Sequence, residues 1–244
     1  MRSIFRFGFT RAAPLFFAAA LLAGCIKVDQ ELSLNADGTG TFHVRYGMKQ
    51  ETISQIDAMS RAGAKENAAA TTQSPFQFDE KKVRKDFETY ARDGVTLDSF
   101  AAAETNDWKF IDLRMKFASL AGLMKTDFLS DRKLTLLREE NGNYILEQRP
   151  DSPHVPESNA DNPAVQDMMK ELMKGFHAGI AVRVPGDVLE SNGTASGRVV
   201  SWTFDLEQDP QALKKAQQLN MRVVFKGDGL NLPGAARPPA PQPK

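Results

Sequence analysis

The sequence predicts an α+β fold: a largely antiparallel sheet built from hairpins, with helices packed on it. Two observations lead there. Turn signals sit between runs of alternating apolar residues, as at Asn35-Ala36-Asp37-Gly38 and Asn141-Gly142. Amphipathic helical stretches then separate the hairpins, whereas a doubly wound parallel sheet alternates single strands with helices.

The elements follow in order. Residues 27–35 and 39–48 alternate around the first turn and read as a hairpin, with His43 on the face opposite Phe42, Val44 and Tyr46. Residues 49–70 have helical spacing at Ile53 and Ile56, and Ser74-Pro75 ends that stretch. Residues 79–93 form an amphipathic helix with Val83, Phe87 and Tyr90 on its apolar stripe and Gly94 as its stop. Residues 95–105 and 107–117 read as a strand pair, the second placing Trp108, Phe110, Leu113, Met115 and Phe117 in its apolar pattern. A short helix or turn at 118–123 precedes a hairpin of 132–139 with 143–149. The proline-rich stretch 150–163 reads as an irregular connection, and 163–178 as a helix with Val165, Met169, Leu172, Met173 and Phe176 on one face. Strands at 180–189 and 198–206 flank Ser191-Asn192-Gly193-Thr194, a short helix spans 209–219, and 221–226 is the last strand. The organisation expected is a leader over 1–24, an α+β domain over 25–228 and a proline-rich disordered tail over 229–244.

The leader carries the sharpest signal. Arg2, Arg6 and Arg11 form a positive n-region, and 12–23 is a short apolar core, too short for the roughly 20 residues of a membrane-spanning helix. Leu22-Ala23-Gly24-Cys25 matches a bacterial lipobox, cleaved between Gly24 and Cys25 once a diacylglyceryl group joins the sulfur. Small residues admit the chain to a peptidase site, and only a thiol forms the thioether. Acylated Cys25 is therefore the expected membrane attachment, since one acyl chain holds marginally and two or three hold firmly. Ile26 stands where an inner-membrane retention signal carries Asp, which favours the periplasmic face of the outer membrane.

Composition narrows the rest. Basic and acidic side chains balance at 31 each, so no broad basic surface for nucleic acid is expected. One cysteine excludes an internal disulfide and multi-cysteine metal or redox motifs, and three histidines offer little for a metal site. No cofactor or metal is expected. None of G-x-S-x-G, H-E-x-x-H, the P-loop or G-x-G-x-x-G occurs. Paired carboxylates such as Asp127 with Asp131, or Glu139 with Glu140, leave a carboxylate-dependent envelope hydrolase as an alternative. His177, at the end of the 163–178 helix, is expected to meet its negative dipole end.

Several segments together resemble the LppM-like bacterial lipoproteins. Cys25-Ile26-Lys27-Val28-Asp29 runs straight into Leu32-Ser33-Leu34-Asn35-Ala36-Asp37-Gly38-Thr39, and Val184-Pro185-Gly186, Ser191-Asn192-Gly193-Thr194 and Val199-Val200-Ser201-Trp202-Thr203-Phe204 follow later. The resemblance implies binding of a lipid or lipid-like ligand at the envelope, without catalysis. The candidate ligand-binding residues are Met168, Met169, Leu172, Met173 and Phe176, because flexible methionines suit varied apolar ligands. An alternative is a structural or assembly lipoprotein whose tail from Pro233 engages an envelope protein partner in extended form.

Overall fold

The structure, a computed structural model, describes residues 26–54, 80–105, 107–129, 132–150, 175–233 and 235–236. Strands dominate. The chain begins with β1 (Ile26–Leu34) and β2 (Gly40–Lys49), paired antiparallel from Ile26↔Met48 to Leu34↔Gly40. Their turn is built by side chains: the Asp37 carboxylate accepts from the Thr39 N–H at 3.0 Å and the Thr39 hydroxyl at 2.7 Å. Those bonds, the hydroxyl first, hold the Asp37 carboxyl below the usual aspartate range. The turn is thus firmer above the ordinary aspartate range and loosens as pH falls through the lowered value. Gly38 has φ 85°, and a Cβ there would lie 2.7 Å from the Pro233 ring. Gly38→Ala should therefore cost about 1–2 kcal/mol, read as a lowered urea midpoint at unchanged slope.

Residues 50–54 are helical, as expected of the start of 49–70; the remainder of that helix lies outside the described residues. Helix α1 (Glu80–Tyr90) buries Phe87 and ends through a 3-10 turn, Ala91–Asp93, at left-handed Gly94. The Tyr90 hydroxyl donates to Asp127 at 2.9 Å, and burial followed by that bond raises the phenol above its ordinary value. Strands β3 (Val95–Thr105) and β4 (Trp108–Phe117) pair with each other, and β4 joins β2. After α2 (Leu120–Leu123), β5 (Arg132–Arg138) and β6 (Tyr144–Pro150) form the expected Asn-Gly hairpin.

The second half departs further from expectation. The last residues of the helix expected over 163–178 are not helical: Gly175 has φ 68°, and β7 (His177–Arg183) begins two residues later, while 163–174 lies outside the described residues. Phe176, Ala178 and Val182 are buried on one face, the even positions of a strand pattern that the apolar content of the sequence runs together with the stretch before it. His177 is consequently a strand residue, the first of β7. Expected strand 180–189 also divides. Pro185 donates no hydrogen bond, and a Cβ on Gly186 would collide with the Lys226 carbonyl, so the chain turns there into β8 (Val188–Ser191).

Strands β9 (Thr194–Ser196) and β10 (Val199–Asp205) come next, then α3 (Ala212–Gln217) and β11 (Met221–Phe225). The segment 191–194 does not close a hairpin between β8 and β9; it carries the chain from one sheet to the other. Asn192 fixes the crossing, its side chain donating to the Asn220 carbonyl and accepting from the Arg222 N–H.

Two sheets result, of order β3-β4-β2-β1-β7-β10-β9 and β5-β6-β11-β8. The larger is mixed: β1 and β7 run parallel from Lys27↔His177 to Ser33↔Arg183, which corrects the single hairpin-built sheet expected. A parallel pair needs a long connection, and everything between β1 and β7 supplies one. One hydrophobic core contains residues of both sheets, including Leu32, Val44, Leu113 and Val200 from the larger and Leu134, Tyr144, Leu146 and Phe225 from the smaller.

The tail does not begin at 229. Leu232 is buried, its N–H donates to the Tyr144 hydroxyl, and Ala236 bridges Leu137 in parallel. Leu230 and Leu232 supply the apolar anchors that the count of prolines obscured. Residues 237–244 lie outside the described residues.

Candidate functional site

Strand alternation gives the seven-stranded sheet an apolar face toward the core and a polar face outward. On β4, Ile111, Leu113, Met115 and Phe117 are buried, so Trp108 and Phe110 share the opposite face and not the core pattern expected for them. Register sets their neighbours. Phe110 lies opposite Gly47, Gly47 opposite Lys27, Lys27 opposite His177, and His177 opposite Asp205. One row therefore crosses five strands, and the next contains Asp112, Arg45, Asp29 and Gly179.

These rows line a groove of about 640 Å³ that includes Lys27, Asp29, Arg45, Trp108, His177 and Asp205, with Lys49, Phe110, Gly175 and Glu207 completing it. Trp108 and Phe110 stack with centroids 5.6 Å apart at 15°. The Lys27 ammonium lies 4.7 Å from the Trp108 ring centre, and the Arg45 guanidinium carbon 4.7 Å from that of Phe110. Both are cation–π distances. A Cβ on Gly47 would stand 2.6 Å from the Phe110 ring, so this glycine lets the ring lie flat on the sheet. His177 sits between carboxylates, Nε2 at 4.0 Å from Asp29 and Nδ1 at 4.0 Å from Asp205, too far for a direct hydrogen bond. Deeper along the face, His43 meets Asp112 at 2.9 Å. A second depression of about 200 Å³ continues from Asp29 over Gly179 and the small side chains of Ala181, Ser201 and Thr203.

The groove divides into two chemistries. Cations over aromatic rings occupy β1, β2 and β4, while Asp29 on β1, His177 on β7, Asp205 at the end of β10 and Glu207 beyond it form a mainly acidic wall. Such a surface suits a ligand bearing anionic and hydroxyl groups. Of the candidate site residues, Phe176 is 8% exposed, and its carbonyl accepts from the Leu206 N–H. Phe176 is thus a core residue at the lead into β7 and does not line the groove. Met168, Met169, Leu172, Met173, Gly24 and Cys25 lie outside the described residues. Among the paired carboxylates, Asp127 is bonded to Tyr90 and Glu139 accepts from Asn141 in its hairpin turn.

The Lys27-to-Asp205 row was hidden in the sequence because its members come from five strands. The one local signal was the parity of Trp108 and Phe110, even-numbered on a strand whose apolar residues from Ile111 onward are odd. Among the described residues, no group of three or more His, Cys, Asp or Glu stands close enough to hold a metal ion, and no helix is long and apolar enough to cross a membrane.

The LppM domain matches residues 27–217, from the start of β1 to the end of α3. The chain belongs to the LppM family. Among solved structures, the NMR structure of the folded domain of Mycobacterium tuberculosis LppM is similar at 14% identity. That likeness covers 84% of this chain and 91% of the other, with a TM-score of 0.41. No curated protein sequence matches. Membership of this lipoprotein family agrees with the lipobox at 22–25 and with a place in the cell envelope.

Proposed function

We propose that this LppM-family protein is a non-enzymatic lipoprotein, held in the outer membrane by acylated Cys25 and facing the periplasm, whose domain binds an amphiphile. The observation that carries the reading is the position of the groove. Lys27, which lines it, is two residues from the lipobox cysteine, so the chain can place no more than about 7 Å between them. A ligand whose polar end enters the groove therefore keeps its apolar end at the bilayer. Arg45, Lys27 and the two rings suit a phosphate or carboxylate, while Asp205 and Glu207 suit hydroxyl groups.

Native mass spectrometry of the full chain, extracted in mild detergent, tests the binding. The wild type should retain an amphiphile. The double variant Arg45→Glu, His177→Ala should lose most of it, with an occupancy fall of about tenfold or more for one lost charge-assisted contact. Removal of 237–244 should leave the occupancy unchanged. Equal retention by the double variant would refute the groove as the binding site.

A further inference from the structure

The groove is not electrically uniform, and the division runs along the strand that leaves Cys25. Lys27, Arg45 and Lys49 project on one side with Trp108 and Phe110, and Asp29, opposite Arg45 in register, is the carboxylate that this strand adds between them and His177. Asp205 and Glu207 lie on the other side, across β7. Lys27 and Arg45 are exposed, and each is held over a ring instead of extending freely into water. Tryptophan and lysine together match the headgroup layer, where an aromatic body takes the apolar side and an ammonium reaches phosphate.

We propose that the corner of Lys27, Arg45, Lys49, Trp108 and Phe110 rests on the anionic phospholipid headgroups of the membrane that holds Cys25, fixing the orientation of the domain. The inference depends on the anchoring proposed above. The acyl chains hold residue 25 in the bilayer, and the corner begins two residues later, so contact needs little extra ordering of the chain. Anionic headgroups attract the β2–β4 side and repel the acidic wall. The sheet consequently tilts, with Trp108 toward the lipid and Asp205 and Glu207 toward water. The acidic half of the groove then stays accessible from the periplasm.

The two tryptophans make the orientation measurable. Trp202 is only 7% exposed and packs in the core, whereas Trp108 is part of the corner. The full, acylated chain is reconstituted in vesicles of phosphatidylglycerol and phosphatidylcholine that include a lipid quencher near the headgroup. Flotation first reports attachment. In floating protein, Trp108 emission should be quenched, and Trp108→Phe should abolish that quenching, leaving the Trp202 signal. Quenching should weaken in pure phosphatidylcholine and at high salt. Lys27→Glu with Lys49→Glu should reduce it roughly fivefold or more, since each surface cation contributes about a factor of five on an anionic leaflet. Floating protein with unquenched Trp108, or quenching that ignores lipid charge and the double reversal, overturns the oriented corner and leaves the anchor standing. Failure to float overturns the anchor and the corner together.

Discussion

Replacing Cys25 with serine, behind an ordinary A-x-A leader so that export still ends in cleavage, should release the protein from the membrane. The wild type should stay with the membrane fraction through a high-salt or alkaline carbonate wash, while the variant enters the soluble periplasmic fraction. The magnitude comes from the acyl chains. Each buried methylene contributes about 0.8 kcal/mol, and although a single chain binds reversibly, a second makes release negligible. Headgroup contacts through Lys27 and Arg45 supply only about 1 kcal/mol each, so they orient the domain without retaining it against salt. A Cys25→Ser variant that remained fully membrane-bound through these washes would show that attachment lies elsewhere.

The largest loss of stability is expected at Tyr144. Its side chain is fully buried and stacks on Phe225 at 5.6 Å, within the core shared by both sheets. The hydroxyl donates to the Leu230 carbonyl at 3.3 Å and accepts from the Leu232 N–H at 3.2 Å, so one residue both fills the core and fastens the segment beyond β11. Tyr144→Ala should cost about 3–5 kcal/mol, a large part of the stability of an ordinary domain. Tyr144→Phe keeps the stack and removes the two bonds, at about 1–3 kcal/mol, because the Leu232 N–H stays buried without its partner. Urea unfolding measures both. In the phenylalanine variant, hydrogen exchange at 230–236 should rise while that of β6 and β11 changes less. Equal stability of the alanine variant would mean that this contact does not hold the two regions together.

The hairpins were legible because their turns are local chemistry. Asp37 and Gly38 make one turn, Asn141 and Gly142 another, and the flanking alternation does the rest. Sheet membership was not legible. Val184-Pro185-Gly186 reads as an interruption only once the Lys226 carbonyl is seen pressed against Gly186, forty residues along the chain. The parallel joint of β1 with β7 escaped for the same reason: no local pattern encodes which distant strand fills a sheet position. Phe176 was misplaced because apolar residues continue from a helical period into a strand period across Gly175, and only the positive φ there marks the change.

The groove was less visible still. Lys27, Arg45, Asp29 and His177 are ordinary polar positions on their own strands, and their meeting is a product of register. The lipobox expected at 22–25, by contrast, is written in consecutive letters, because an acyltransferase and a peptidase would recognise it as a linear motif.

Intact-mass spectrometry of the protein purified from its native membrane examines the tether itself. A polypeptide mass beginning at Cys25, increased by a diacylglyceryl group with or without a further acyl chain, is the result expected. A mass beginning at Met1 with an unmodified thiol would contradict the tether, and the membrane-facing groove would lose its basis.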